Sequence, residues 1–230
     1  MTLLVILVFI GTMALSLWAT IHVGRVQNKF SLFPATSGSS GAETAERILR
    51  QEGIYDVEIV EQEQALGDHY DPAHKRLVLS REIYNGTSAT ALGIAAHECG
   101  HAIQHKDGYV LLRWRMASVG LTTFASQIVL WLPLLGLLTG FLNSRVALTL
   151  VAAAWGILML FNLLTLPVEF DASAKARLRL RESRLIQTEQ EEAAVDTVLR
   201  AAAWTYLAAF ITSLAYFLIN LSPVFDGNRE

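Results

Sequence analysis

Four long apolar runs, separated by polar stretches, dominate the pattern of this chain. They are Leu3 to Val23, Met116 to Leu142, Val146 to Leu166 and Ala201 to Leu221. Each run lacks Asp, Glu, Lys and Arg, and each is long enough to cross roughly 30 Å of hydrocarbon as a helix. A chain of 230 residues is too short to cover four such helices on all sides with its own residues. The pattern therefore predicts four transmembrane helices. The first is retained, because it has no basic leader and no clear cleavage site.

The polar stretch between the first two runs predicts a small α+β domain. Ser31 to Gly41 is typical of a linker because it is rich in Ser, Gly and Pro. The pattern then predicts an amphipathic helix ended by Gly53, a strand, a polar turn, a second strand, and a helix capped by Thr87 or Ser88. These five elements cover Ala42 to Leu49, Val57 to Glu61, Gly67 to Pro72, Arg76 to Ser80 and Ala89 to His105.

The second polar stretch also carries a helix start. Thr188 with Glu191 resembles a capping box, and the helix that follows is expected to run into the fourth apolar run. Glu189, Glu191 and Glu192 are expected to form a solvated face. The predicted segments are residues 1–23 (first span), 24–115 (domain), 116–142 (second span), 146–166 (third span), 167–200 (polar segment), 201–221 (fourth span) and 222–230 (tail).

Basic residues predict the orientation of the spans. They cluster in the two large connections, for example at Arg113, Arg115, Lys175 and Arg177. Lys and Arg are retained on the cytoplasmic side of membranes. We therefore expect a multi-pass protein of the plasma (inner) membrane, in contact with membrane lipid, with both large connections cytoplasmic and both termini outside.

Composition agrees with a membrane protein and narrows its partners. Hydrophobic residues make up 53% of the chain and the mean hydropathy is +0.38. The formal net charge is only −3, and no basic patch interleaved with aromatic residues indicates nucleic acid. The single cysteine, Cys99, excludes an internal disulfide and is expected to be a small buried residue.

The run His97-Glu98-Cys99-Gly100-His101 carries the candidate chemistry. Two histidines four residues apart lie on one helix face, where both can bind one Zn²⁺ ion. The glutamate after the first histidine is then placed to act as general base on the attacking water. This motif, on a helix with apolar flanks, predicts a zincin-like catalytic domain.

Catalytic zinc takes a third protein ligand, and Glu169 is the best candidate. His105 lies about 12 Å along the helix from His97 and cannot share its metal. The second and third spans form a hairpin, which returns the chain to the side of the two histidines before Glu169. Asp171 is the alternative ligand, or a hydrogen-bonding neighbour of one. Ser173, one turn after Glu169, can hydrogen-bond a ligand histidine.

The chain resembles the membrane-bound neutral zinc metallopeptidases of the bacterial YugP type, and more distantly the HtpX-like and CAAX-protease-like gluzincins. The resemblance covers nearly the whole chain. It is carried by residues 66–72 (LGDHYDP), 77–80 (LVLS), 95–104 (AAHECGHAIQ) and 166–173 (LPVEFDAS). It implies that the Asp68–Ser80 segment is an edge strand along which the substrate backbone lies. The HtpX-like relatives carry an aspartate at the position of Ser173.

The sequence thus predicts a zinc metalloendopeptidase that cuts peptides or membrane proteins near the cytoplasmic membrane surface. Zn²⁺ is held by His97, His101 and Glu169, and Glu98 is the catalytic base. Candidates for stabilising the oxyanion or binding substrate are His69, Tyr70 and Arg177. The alternative is a zinc-stabilised membrane adaptor without catalysis, which would have no use for Glu98. A second alternative is an intramembrane protease with its zinc inside the bilayer, which is disfavoured because the motif helix is too short and polar to span.

Overall fold

The computed structural model describes residues 2–63, 67–139 and 145–226 of the chain. The described residues form seven helices and three short strands, so the molecule is mainly α with a small sheet, as the sequence predicts. The elements are α1 (Thr2–Ser31), α2 (Gly41–Gln51), β1 (Glu58–Gln62), β2 (His69–Asp71), β3 (Arg76–Ser80), α3 (Arg81–Asn85), α4 (Ala89–Lys106), α5 (Val110–Thr139), α6 (Arg145–Glu182) and α7 (Glu189–Asp226).

Four of these helices are long and apolar enough to cross a membrane. The candidate spans are Leu3–Ser31, Val110–Gly136, Val146–Glu182 and Glu189–Leu221. Three of them contain a whole predicted apolar run, and Val110–Gly136 contains the second run from Met116 to Gly136. Predictions for residue 66 of the quoted motif, for residues 140–144 at the end of the second run and the following turn, and for residues 227–230 of the tail lie outside the described residues.

The chain divides into two compact units, and the first contains most of the apolar runs. It comprises Met1–Thr20, Trp114–Leu166 and Thr205–Glu230. Within it, α6 packs on α7 through polar and aromatic contacts. The Asn162 amide donates to the carbonyl of Ala209 (3.2 Å) and to Ser213 Oγ (3.1 Å). Trp155 stacks on Tyr216 with ring centroids 4.5 Å apart. Such contacts suit helices whose outer faces meet lipid, because apolar burial alone does not drive association there.

The second unit comprises Ile21–Arg113 and Pro167–Trp204, and α4 forms its centre. The side chains that α4 buries are mostly small, including Ala95, Ala96 and Ala102. Larger apolar side chains from the surrounding elements pack into one core with them. These are Ile48 of α2, Leu77 and Leu79 of β3, Leu180 of α6 and Val195 of α7. Small residues on the central helix allow its neighbours to approach closely.

The three strands form one sheet in the order β1-β3-β2, with β1 parallel and β2 antiparallel to β3. The prediction of a polar turn over Gly67 to Pro72 is wrong for His69–Asp71, which pairs with Arg76–Val78 as a strand. A three-residue segment of polar and aromatic residues shows too little alternation to predict a strand, and long-range pairing decides its conformation. The Asp68–Ser80 segment, implied to be an edge strand, contains both β2 and β3. Of these two strands β2 lies at an edge of the sheet, since β3 lies between β1 and β2.

Helix α6 runs without a break through Pro167, although proline often stands at a helix start or a kink. Proline removes one intrahelical hydrogen bond and is usually disruptive in a helix. Beyond it, Val168, Ala172, Ala176 and Leu180 recur every four residues and are at most 1% exposed. Packing of this stripe maintains the helix past the proline. At the chain's other end, residues 222–226 of the predicted tail continue α7 as helix.

Hydrogen-bonding side chains cap the helices of the second unit. The Ser88 hydroxyl, rather than Thr87, accepts the N–H of Ala91 and begins α4. The predicted capping box of Thr188 and Glu191 is present at the start of α7. Glu191 was expected to be solvated, but it is only 2% exposed. Its carboxylate also accepts the backbone N–H of Thr36, so it joins the linker to α7, a contact that local sequence cannot reveal.

Candidate metal centre

The two motif histidines lie on the same side of α4, and both face α6. His97 and His101 lie one turn apart, with ring centroids 4.9 Å apart and planes at 82°. Gly100 between them contacts the backbone of α6: a Cβ at this position would lie 2.5 Å from the carbonyl oxygen of Ala172. Glycine at this position therefore permits α4 and α6 to approach closely, which brings the part of α6 that follows Pro167 near the two histidines.

Glu169 on α6 completes a cluster with the two histidines. Its Oε2 lies 3.1 Å from His97 Nε2 and 3.5 Å from His101 Nε2, and the residue is 2% exposed. Within residues 2–63, 67–139 and 145–226, this is the group of three His, Cys, Asp or Glu side chains whose ligand atoms converge closely enough to hold a metal ion. Asp171, the alternative ligand, does not belong to it.

The donor set and its spacing fit zinc. Zinc binds imidazole nitrogen and carboxylate oxygen at roughly 2.0–2.2 Å in tetrahedral geometry, which places neighbouring ligand atoms roughly 3.3 Å apart. The two Nε2–Oε2 distances, 3.1 and 3.5 Å, lie on either side of that value. Three protein ligands leave one coordination position open, which is the arrangement of catalytic rather than structural zinc sites.

Each imidazole of the cluster is held through its second nitrogen. His97 Nδ1 lies 3.1 Å from Ser173 Oγ, the contact that the sequence suggested. His101 Nδ1 lies 3.0 Å from Gln104 Oε1. Sequence reasoning missed Gln104, although an amide three residues after a candidate ligand on the same helix was a usable indication. Such partners orient ligand histidines and set their tautomer.

Glu98 is buried beside the cluster, with 7% of its surface exposed. Its Oε2 accepts the backbone N–H of Tyr70 from β2 at 3.0 Å. Burial raises the pKa of the Glu98 carboxyl, while the neighbouring His97 and His101 oppose the rise. A carboxylate with a raised pKa is a better proton acceptor at neutral pH, as a general base requires.

The three candidates for oxyanion or substrate binding lie in different surroundings. The Tyr70 hydroxyl lies 2.8 Å from His105 Nδ1, and burial raises the pKa of Tyr70 to about 12, so the hydroxyl keeps its proton. Arg177 pairs with Asp196 at 2.6 Å and lies about 12 Å along α6 from Glu169. His69 is exposed on β2, with Nδ1 3.0 Å from the carbonyl of Gly67.

The lone cysteine is a packing residue, as expected. Cys99 is fully buried, and its Sγ lies 3.7 Å from the carbonyl of Ala45 on α2. Burial raises the pKa of its thiol well above the ordinary value, which disfavours the thiolate that a metal would bind.

Replacing Gly100 by Ala should separate α4 from α6. The added methyl group would lie 2.5 Å from the Ala172 carbonyl, so the helices must move apart. We expect a loss of about 1–3 kcal/mol in the free energy of unfolding, together with weaker zinc binding because Glu169 moves away. Thermal unfolding and zinc titration in detergent measure both effects. Gly24→Ala is the control, since nothing lies within 4 Å of its added Cβ. Equal behaviour of the two variants would contradict the close helix contact.

Comparison with known proteins agrees with this donor set. Residues 5–223 match the model of the family described as "Putative neutral zinc metallopeptidase". The chain is also 39% identical, over 228 residues, to the "Putative membrane protease YugP" of Bacillus subtilis (strain 168), and the match covers 99% of both chains. No solved structure matches the chain. With four helices able to span a membrane and this match over nearly its whole length, the chain belongs to the YugP-type family of membrane zinc metallopeptidases.

Proposed function

We propose that this protein is a zinc endopeptidase with its metal held by His97, His101 and Glu169 and with Glu98 as the catalytic base. The observation that carries the proposal is the convergence of both Nε2 atoms on Glu169 Oε2, with the buried Glu98 on the adjoining turn of α4. The alternative of a structural zinc site is disfavoured, because such sites close with four protein ligands and need no base.

The residues around the cluster have different roles in peptide hydrolysis. Glu98 takes a proton from the attacking water and later gives it to the leaving amine. The N–H of Tyr70 holds the Glu98 carboxylate in place. Zinc held by His97, His101 and Glu169 would supply the Lewis acidity that polarises the scissile carbonyl. Ser173 and Gln104 hold the two imidazoles with their Nε2 atoms toward Glu169.

The substrate backbone is proposed to lie beside β2. The backbone N–H of Tyr70 in this strand is directed at Glu98, so the outer edge of β2 adjoins the catalytic base. An extended peptide can add to such an edge through main-chain hydrogen bonds. His69 is the candidate donor or substrate contact with an exposed ring, since Tyr70 and Arg177 are engaged with His105 and Asp196.

The site is proposed to act at the cytoplasmic membrane surface. Glu169 follows Leu166, the last residue of the third apolar run, by three residues, or about 5 Å along a helix. A metal bound by Glu169 would therefore lie close to the lipid headgroups. Substrates should be membrane proteins cut near the cytoplasmic ends of their spans, or segments that lie on the membrane surface.

Comparison of membrane proteomes tests this assignment of substrates. Cells expressing the wild type or Glu98→Gln at equal levels are compared by labelling of new peptide N-termini. We expect termini that depend on Glu98 to cluster within a few residues of predicted cytoplasmic span ends. Glu98-dependent termini that fall only in soluble proteins or outer loops would refute the juxtamembrane proposal while leaving the protease intact.

The orientation in the membrane has its own test. In a Cys99→Ser background, Asn85→Cys lies in the polar domain and Asn228→Cys near the end of the chain. An impermeant maleimide added to sealed, right-side-out vesicles should label the second cysteine and not the first, because basic residues retain the large connections inside. Permeabilised vesicles serve as the control and should label both. Labelling of Asn85→Cys in sealed vesicles would reverse the orientation.

A further inference from the structure

Gln104 connects a proposed zinc ligand to the helix that carries another. Its side chain is fully buried on α4. The amide nitrogen Nε2 lies 2.8 Å from the carbonyl oxygen of Val168 and 2.8 Å from Asp171 Oδ2, both on α6. The amide oxygen Oε1 lies 3.0 Å from His101 Nδ1. Val168 and Asp171 flank Glu169 in the chain, so this one amide joins His101 to the immediate surroundings of Glu169.

The two acceptors on α6 determine which way the amide points. A backbone carbonyl and a carboxylate only accept hydrogen bonds, so the NH₂ group of Gln104 must face them. The Val168 carbonyl can only accept, and both oxygens of Asp171 already accept from Lys175 Nζ at 3.0 and 2.8 Å. The oxygen of the Gln104 amide must therefore face His101.

An oxygen that faces His101 determines where the imidazole proton lies. Oε1 can only accept, so His101 Nδ1 carries the hydrogen and donates it. The lone pair of the neutral ring is then on Nε2, the atom 3.5 Å from Glu169 Oε2. With the amide reversed, its NH₂ group would face Nδ1 and would favour the tautomer with hydrogen on Nε2, which cannot bind a metal.

We propose that Gln104, oriented by Asp171 and the Val168 carbonyl, is a positioning residue that sets the tautomer of His101 and fixes α4 against the Glu169 turn of α6. The proposal rests on the zinc site proposed above. It gives Asp171 a role other than that of a ligand: this carboxylate acts on the metal site through Gln104. Ser173 is the corresponding partner of His97, but it makes no such bridge among the contacts of the described residues.

The test measures the zinc affinity of the full-length protein in detergent by competition with a chromophoric chelator. The melting temperature of the metal-free form is measured for each variant as well. Gln104→Met keeps an unbranched side chain but loses both the donor and the amide oxygen. Loss of a hydrogen-bond partner of a ligand histidine costs about tenfold to a hundredfold in metal affinity, and we expect a loss in that range. Ile103→Val is the control, because it perturbs the adjoining buried position of α4 without removing a polar contact.

A pair of exchanges tests the direction of the hydrogen bonds. Gln104→Glu keeps an acceptor for His101 but places a carboxylate against Asp171, so zinc affinity should fall. Adding Asp171→Asn restores a donor to face the new carboxylate, and the double variant should bind zinc at least about fivefold more tightly than Gln104→Glu alone. A double variant that binds no better than Gln104→Glu would overturn the role of Asp171.

The remaining outcomes separate this proposal from the one on which it rests. If the wild type binds zinc and Gln104→Met binds it equally well, the positioning role is wrong and the metal site stands. If Ile103→Val loses as much affinity as Gln104→Met at a similar melting temperature, the effect reflects packing alone and the proposal is overturned. If the wild type itself binds no zinc, the proposed metal site fails, and the inference falls with it.

Discussion

Replacing Glu98 by Gln is expected to abolish peptide hydrolysis while leaving zinc bound. The amide has the size of the carboxylate but cannot accept the proton of the attacking water. Loss of a general base costs about 10²–10⁴-fold in rate, so kcat should fall by at least that lower factor. His97, His101 and Glu169 are unchanged in this variant, and zinc content should stay at one ion per chain. Cleavage of an unfolded fluorogenic protein in detergent, with zinc analysis of the same sample, measures both quantities.

Glu82→Gln is the matched control for this experiment. Glu82 is an exposed glutamate on α3, and the same change there should leave both turnover and zinc content as in the wild type. Full activity of purified Glu98→Gln would sink the proposed mechanism. Zinc binding by the wild type without hydrolysis of any substrate, in detergent or in membranes, would instead favour the adaptor function.

Replacing Glu169 by Gln is expected to weaken zinc binding by an order of magnitude or more. A neutral amide is a poorer ligand than a carboxylate for a dipositive ion. The change also removes the one negative charge that the three-ligand cluster contributes. His97→Ala and His101→Ala should lose metal and cleavage together, because each removes a ligand outright. Chelator competition measures the affinity, and hydrolysis at saturating zinc shows whether activity returns when the metal is restored.

Asp171→Asn is the control for Glu169→Gln, because it makes the same change of carboxylate to amide two residues away. The asparagine oxygen can still accept from Gln104, so zinc affinity should change much less. Strong zinc loss in Asp171→Asn, with metal content and activity intact in Glu169→Gln, would make Asp171 the ligand. The site would then have to be rebuilt around a different face of α6.

The helices and the candidate ligands were largely readable from the sequence, for two physical reasons. Hydrocarbon imposes a long uncharged run on any helix that crosses it, so all four spans were visible as composition. Helical periodicity places His97 and His101 on one face regardless of the rest of the fold. Chain order supplied Glu169, because a hairpin of two spans returns the chain to the side that it left.

Features that depend on distant residues were missed or misread. The segment His69–Asp71 was predicted to be a turn. It is a strand because it pairs with Arg76–Val78. Glu191 was predicted to be solvated. It is buried because the linker reaches it at Thr36. The continuation of α6 past Pro167 depends on the buried stripe that follows it, and this stripe is a property of the core.

The sequence by itself determined the spans, the motif helix and the residue types that a zinc site needs, since these follow from solvent, from helical period and from ligand chemistry. Only the tertiary structure decided how the site is assembled. The contact of Gly100 with Ala172, the bond from Tyr70 to Glu98 and the link from His101 through Gln104 to α6 all join residues far apart in the chain. Such contacts require two packed elements at a fixed separation, and no local pattern in either element specifies that separation.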